Sequence, residues 1–184
     1  MVFANLSCAF KRRRKFYEKI SKKIPVVWNT NSFETVENIE KVSKFVDIFL
    51  ADLKYANDEM AKEFSKCDNY FSVSKKAILK MCKEKPDKFE NENSMTQGVI
   101  IRHLVLPGYI ENSFKVLDTI KENFANRKIS LMSQFTPNGH GKLNRKLKPI
   151  EYKAVLAHLE KLGLTNGYFQ DFESADSCFV PKFV

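Results

Sequence analysis

Four short apolar runs each lead into polar side chains, and those side chains are where this sequence could do chemistry. Asn29 and Thr30 follow Val26-Val27-Trp28, and Asp52 and Lys54 follow the run from Val46 to Ala51. Arg102 and His103 interrupt the run from Gly98 to Gly108, and Gln134 and Thr136 close the run that begins at Ile129. Together they supply a carboxylate, an ammonium, a guanidinium, hydroxyls and amides. That set suits a zwitterion carrying both an amine and a carboxylate, with donors left over for a sugar. It holds no nucleophile–base pair and no glycine-rich phosphate loop, so no catalytic residue is assigned. The run around Arg102 reads as a strand buried on both faces, and a buried arginine is costly unless an anion or carboxylate meets it. A structural ion pair is the alternative for that arginine.

The elements that must hold these groups follow from the apolar spacing. Strands are read at Pro25–Trp28, Val46–Ala51, Gly98–Gly108 and Ile129–Phe135, with one more short strand at Tyr168–Gln170. Helical spacing is read over Glu34–Lys44, from Asn57 or Asp58 through Phe64, over Tyr70–Lys83 and over Asn112–Phe124. A last helix starts near Pro149 and is capped at Gly163. A first amphipathic helix is read over residues 1–23, crossed by the basic run Lys11–Lys15. The polar stretch Lys85–Gln97 and the segment from Asn138 to Lys148 are read as surface loops. The alternation argues for an α/β fold with a parallel sheet and right-handed crossovers. In such sheets ligands sit outside the carboxyl ends of the strands, where the four polar clusters fall.

Composition bounds the rest. With 184 residues, 43% of them hydrophobic and 29% charged, the chain is read as a single soluble domain over 1–184. Its net charge of +9 points to an anionic partner, with a lysine-biased surface as the plain alternative. Lys11–Lys15 has no interleaved aromatic stacking residues, so it reads as a solvated helix face and nucleic acid is not expected. Cys8, Cys67, Cys82 and Cys178 are scattered, with no CxxC spacing, so no metal site is assigned. The apolar N-terminal residues precede the basic run and are too short for a membrane span, which leads to a cytoplasmic expectation with no membrane partner.

Several stretches resemble a known family. Val26-Val-Trp-Asn-Thr-Asn-Ser-Phe-Glu34, Val46-Asp-Ile-Phe-Leu-Ala-Asp-Leu-Lys-Tyr55, Ile101-Arg-His-Leu-Val-Leu-Pro-Gly108 and Ser133-Gln-Phe-Thr-Pro137 occur in that order. They resemble radical S-adenosylmethionine (SAM) proteins of the branch similar to pyruvate formate-lyase-activating enzyme. Leu143-Asn-Arg-Lys-Leu147 and Leu162-Gly-Leu-Thr-Asn-Gly167 are similar to that branch's closing segments. The resemblance implies a partial (β/α) TIM-like barrel and SAM as cofactor, reduced by a [4Fe–4S] cluster to a 5′-deoxyadenosyl radical. It implies SAM-binding roles for Asn29, Thr30, Asp52, Lys54 and Arg102, with Lys54 meeting the SAM carboxylate.

The family's cluster-binding CxxxCxxC and its Gly-Gly-Glu segment are not found in these residues. The chain is therefore expected to be the later part of the barrel, with N-terminal strands and cluster ligands missing and no activity alone. Its partners are expected to be an N-terminal cluster-bearing segment or chain and a protein substrate of the glycyl-radical-enzyme kind. Two other classes stay open: a non-catalytic binding or interaction module derived from the fold, and, ranked last, a basic binder of nucleic acid or acidic protein.

Overall fold

The computed structural model describes residues 25–91, 94–137 and 141–172. The helix expected over residues 1–23, its basic run and Asn138–His140 lie outside them. In chain order the elements are β1 (Val27–Thr30), α1 (Val36–Ser43), β2 (Ile48–Asp52), α2 (Asp58–Ser65), α3 (Tyr70–Glu84), β3 (Lys88–Asn91), β4 (Ser94–Leu104), α4 (Ile110–Phe124), β5 (Lys128–Met132), α5 (Pro149–Lys161) and β6 (Gly167–Phe169). Strands β1, β2, β4, β5 and β6 stand side by side in that order, each parallel to its neighbour. Each crossover thus advances the sheet in one direction, which is the winding of a barrel rather than of a doubly wound sheet. Among the described residues the sheet is not closed.

Local chemistry explains where the helices begin. The Thr35 hydroxyl accepts from the Asn38 amide at 3.2 Å and starts α1. Asn57, one of two cap candidates, accepts from the Met60 amide at 2.9 Å and starts α2. The other candidate, Asp58, instead reaches across to α3, accepting from the Phe71 amide at 2.6 Å and the Ser72 hydroxyl at 2.7 Å. Pro149 opens α5, and Gly163 follows its end at φ +69, a left-handed position that suits glycine.

Two expectations are corrected. The stretch Lys85–Gln97 is not a loop: β3 pairs antiparallel with the start of β4, Lys88 with Gln97 and Phe89 with Met95. All four β3 side chains are exposed, so the strand has no apolar alternation to betray it. Gly98, at φ +148, marks the passage from this hairpin into the parallel sheet. A Cβ there would collide with the Asp87 carboxylate, which accepts from the Val99 amide at 3.2 Å and from Arg127 at 2.6 Å. The second correction concerns β4, which is fully buried on one face only.

On that face Val99 and Ile101 join Phe49, Ala51, Ile129 and Leu131 in one core with the inward residues of the helices. Ile39 and Val42 come from α1, Ala77, Ile78 and Met81 from α3, Val116, Leu117 and Ile120 from α4, and Tyr152, Val155 and Leu159 from α5. Burying each large apolar side chain contributes roughly 1.5–3 kcal/mol. The opposite face, with Leu50, Ile100, Leu104 and Met132, is only half-buried among the described residues, and Leu50, Leu104 and Met132 border cavities. Among the described residues no helix is long and apolar enough to cross a membrane.

Candidate functional site

Side chains in register in a parallel sheet share a face, and alternate residues switch faces. Asp52 is in register with Arg102, Arg102 with Ser130, and Ser130 with Tyr168. Asn29 lies one step earlier, in register with Leu50. The half-buried face therefore collects Asn29, Asp52 and Arg102. Arg102 Nε donates to Asp52 Oδ1 at 2.5 Å and its Nη2 donates to Asn29 Oδ1 at 2.8 Å. Lys54 Nζ stands 3.7 Å from the other Asp52 oxygen. Side-chain exposures of 14% for Asp52, 23% for Arg102 and 29% for Lys54 place all three partly out of water. One carboxylate faces two cations, so the group carries one uncompensated positive charge. Partial burial makes such a charge a preferred place for an anion.

Thr30 is not part of that group. It pairs in register with Ala51 on the helix-facing side, where its hydroxyl oxygen accepts from the Ser32 amide at 3.1 Å and its O–H donates to the Glu34 carboxylate at 3.4 Å. Burial, first among the influences, raises the Glu34 carboxyl above its ordinary value. His103 also faces the helices. Its Nδ1 stands 2.8 Å from the Leu53 carbonyl, which can only accept, so that nitrogen carries the proton. Its Nε2 then accepts from the Ser113 hydroxyl at 2.9 Å. Burial pushes the imidazole down to about 4, so it is neutral at pH 7 and holds β4 to the chain after β2.

Asp52, Lys54 and Arg102 line one cavity of about 790 Å³ at the carboxyl ends of the strands. Tyr55, Phe64 and Phe135 give it an aromatic wall, with Leu104, Leu106, Met132 and Leu143 beside them. At its outer end Lys142 and Glu63 form an ion pair of 2.5 Å between the loop before α5 and helix α2. Thr136 borders this cavity. Gln134 lies instead in an adjoining depression of about 340 Å³, with Ser130, Tyr168 and Gln170, and Arg102 borders both.

Other residues hold the site in shape and were not singled out in the sequence. Asn112, in the first turn of α4, accepts from the Ala56 amide at 2.8 Å and donates to the Lys54 carbonyl at 3.0 Å. Asn112 and Ser113 fall on the inward period of α4 with Val116, Leu117 and Ile120, and polar residues at inward positions were the available signal. Arg145, in the closing segment, forms a two-pronged pair with Glu151 at 2.7 Å on each prong. Glu151 also accepts from the Gly108 amide at 2.7 Å, which ties the turn after β4 to α5. The guanidinium of Arg145, ahead of these main-chain bonds, holds the Glu151 carboxyl down at about 2.

No protein-family model matches the chain. It is 34% identical over 150 residues to the uncharacterized protein MJ0674 of Methanocaldococcus jannaschii, an alignment that covers 79% of this chain and 40% of that protein. The chain thus spans well under half the length of that relative. Among solved structures it is similar to a domain of pyruvate-formate lyase-activating enzyme from Bacteroides vulgatus, with a TM-score of 0.62 and 13% identity. The superposition covers 93% of this chain and 97% of that domain. The likeness is one of fold. It agrees with the α/β architecture of strands and helices wound as part of a TIM-like barrel.

Proposed function

We propose that the cavity binds the methionine end of SAM, and that this chain is the later, SAM-binding part of an activating-enzyme-like radical SAM domain. The observation that carries this reading is the Asp52–Arg102–Lys54 group. It places one carboxylate and two cations at the strand ends, in a cavity that Tyr55, Phe64, Phe135 and several aliphatic side chains also line, with the Lys142–Glu63 pair at its outer end. The likeness in fold to the Bacteroides vulgatus domain supports the same reading. A volume of about 790 Å³ is within the size range of small-ligand sites.

The residues present fit this ligand. Lys54 offers an ammonium to the amino-acid carboxylate, and Asp52 offers a carboxylate to the amino group. Arg102, itself held by Asn29, keeps the Asp52 carboxylate oriented, and Tyr55, Phe64 and Phe135 exclude water from an apolar or planar body. When bound, SAM supplies a sulfonium centre with cleavable carbon–sulfur bonds. This chain's own part is to bind and orient.

An iron–sulfur cluster does not fit the described residues. Cys67 and Cys82 are both free, and no grouping of three His, Cys, Asp or Glu side chains could hold a metal ion there. Burial drives the Cys82 thiol up to about 11, away from the thiolate that such clusters need. No step through a cluster is therefore derived. In the proposal its ligands come from a separate cluster-bearing segment, and a protein of the glycyl-radical-enzyme kind is the substrate of the assembly. The lack of cluster ligands among the described residues also favours a second reading, a binding module that keeps the cavity and has lost the chemistry.

Calorimetric titration of the chain with SAM, repeated with Lys54→Ala, tests the reading. Losing a charge-assisted contact worth about 1.5–3 kcal/mol lowers affinity roughly tenfold or more. Equal affinity in two folded proteins removes Lys54 from the site and the main support with it. Restoration of SAM cleavage on adding a segment with CxxxCxxC separates the enzyme part from the binding module.

A further inference from the structure

The β1–β2 ladder ends where Thr30 is in register with Ala51, yet the two chains stay together beyond it. What joins them is a side chain. The Tyr70 hydroxyl lies 2.9 Å from the Asn31 carbonyl, 3.1 Å from the Asp52 carbonyl and 3.3 Å from the Lys54 amide. The amide donates to the phenol oxygen, and the phenol proton goes to one carbonyl or the other. The hydroxyl thus adds one rung to the sheet, between the loop after β1 and the two residues of the Asp-x-Lys motif.

The surroundings fix that rung. Tyr70 is the first residue of α3 and only 3% exposed. Its ring stacks on Phe33 with centroids 6.2 Å apart and meets Tyr55 edge-on at 5.5 Å. Asp58 ties down the same turn through the Phe71 amide and the Ser72 hydroxyl. The Lys54 peptide is then held from two sides, its N–H by Tyr70 and its carbonyl by Asn112. Burial keeps the phenol protonated far above the ordinary tyrosine value, so the rung persists across neutral pH.

We propose that Tyr70 is a positioning residue of the cavity, setting through its hydroxyl the placement of Lys54 beside Asp52 and hence the affinity for the carboxylate of a zwitterionic ligand. The consequence for affinity rests on the SAM reading; the consequence for the Lys54 main chain does not. Tyr70→Phe keeps the ring and deletes the rung. Phe33→Leu weakens the ring's packing and keeps the rung.

Amide hydrogen exchange by NMR and titration with SAM are measured on the 184-residue chain and both variants, with circular dichroism and urea unfolding as fold controls. In Tyr70→Phe the Lys54 amide exchanges at least tenfold faster and SAM binds roughly fivefold to tenfold more weakly, the scale of one lost hydrogen bond. In Phe33→Leu stability falls while both of those readings hold. Unchanged Lys54 exchange in Tyr70→Phe overturns the proposal, as does an equal loss of SAM affinity in Phe33→Leu. If the wild type binds no SAM, the reading of the cavity falls, and Lys54 exchange alone decides the role of Tyr70. If Tyr70→Phe does not fold, the wild type still answers. A slowly exchanging Tyr70 hydroxyl proton with a nuclear Overhauser contact to the Lys54 amide supports the rung, and its rapid exchange with solvent overturns it.

Discussion

Lowering the pH from 7 toward 4 should cost this fold stability through His103, well before general acid unfolding. The imidazole is fully buried, and burial depresses its proton affinity from 6.5 to about 4. The unfolded chain protonates it near 6.5, so between 6.5 and 4 the unfolded state binds more protons than the folded one. The stabilisation is complete above pH 6.5, falls as the pH drops, and is exhausted below about 4. Lowering the imidazole from 6.5 to about 4 makes the full effect about 3 kcal/mol. That is a large share of the roughly 5–15 kcal/mol of a typical domain. Urea unfolding at pH 7, 6 and 5, for wild type and His103→Gln, measures it. Gln can still donate to the Leu53 carbonyl and accept from Ser113 but does not titrate. The stability difference between the two proteins should shrink by about 2 kcal/mol from pH 7 to pH 5. Parallel pH profiles would refute the argument, because they would mean that His103 is solvated or charged in the fold.

Two further perturbations probe the core and the charge group. Phe49→Ala, at a position with no exposure in the middle of β2, should lower the urea-derived stability by about 3–5 kcal/mol, whereas a loss under 1 kcal/mol would mean that the sheet–helix core is misplaced. Asp52→Asn leaves Arg102 and Lys54 facing each other without their shared carboxylate and should cost about 1–2 kcal/mol, between the values for exposed and buried pairs. The same variant should weaken binding of methionine several-fold but not that of its deaminated carboxylate analogue. Equal weakening of both in titration would remove Asp52 as the partner of the ligand's amine.

The strand–helix order was legible because it depends on apolar spacing, which survives in a single sequence. The helix starts were legible too, since Asn57 and Pro149 act through their own side chains. The β3–β4 hairpin was not, because Lys88, Phe89, Glu90 and Asn91 are all exposed and no burial pattern marks them. Their pairing depends on β4 running past the sheet and offering a free edge, which is a tertiary fact. The same holds for Asp87, whose carboxylate gains its role only when Arg127, forty residues away in the chain, arrives beside it.

At the site, residue types were legible and faces were not. Asn29-Thr30 and Arg102-His103 are neighbours in sequence, and neighbours on a strand point to opposite sides of the sheet. Each pair is therefore split by the pleat. Arg102 goes to the cavity side and bonds to Asp52 and to Asn29, while Thr30 and His103 go to the helices, Thr30 bonding to the Ser32 amide and Glu34 and His103 to the Leu53 carbonyl and Ser113. The i, i+2 spacing of Asp52 and Lys54 keeps those two on one side, which is why both reach the cavity. Arg102, set with His103 in an otherwise apolar run, is ambiguous in the sequence between ion pair and ligand contact. Its Nε and Nη2 are taken by Asp52 and Asn29, whereas Lys54 makes only the longer 3.7 Å contact with that carboxylate. The test of ligand binding belongs on Lys54 for that reason. Removing Arg102 would free the Asp52 carboxylate and confound loss of contact with loss of structure, whereas Lys54→Ala leaves the Asp52–Arg102–Asn29 chain intact.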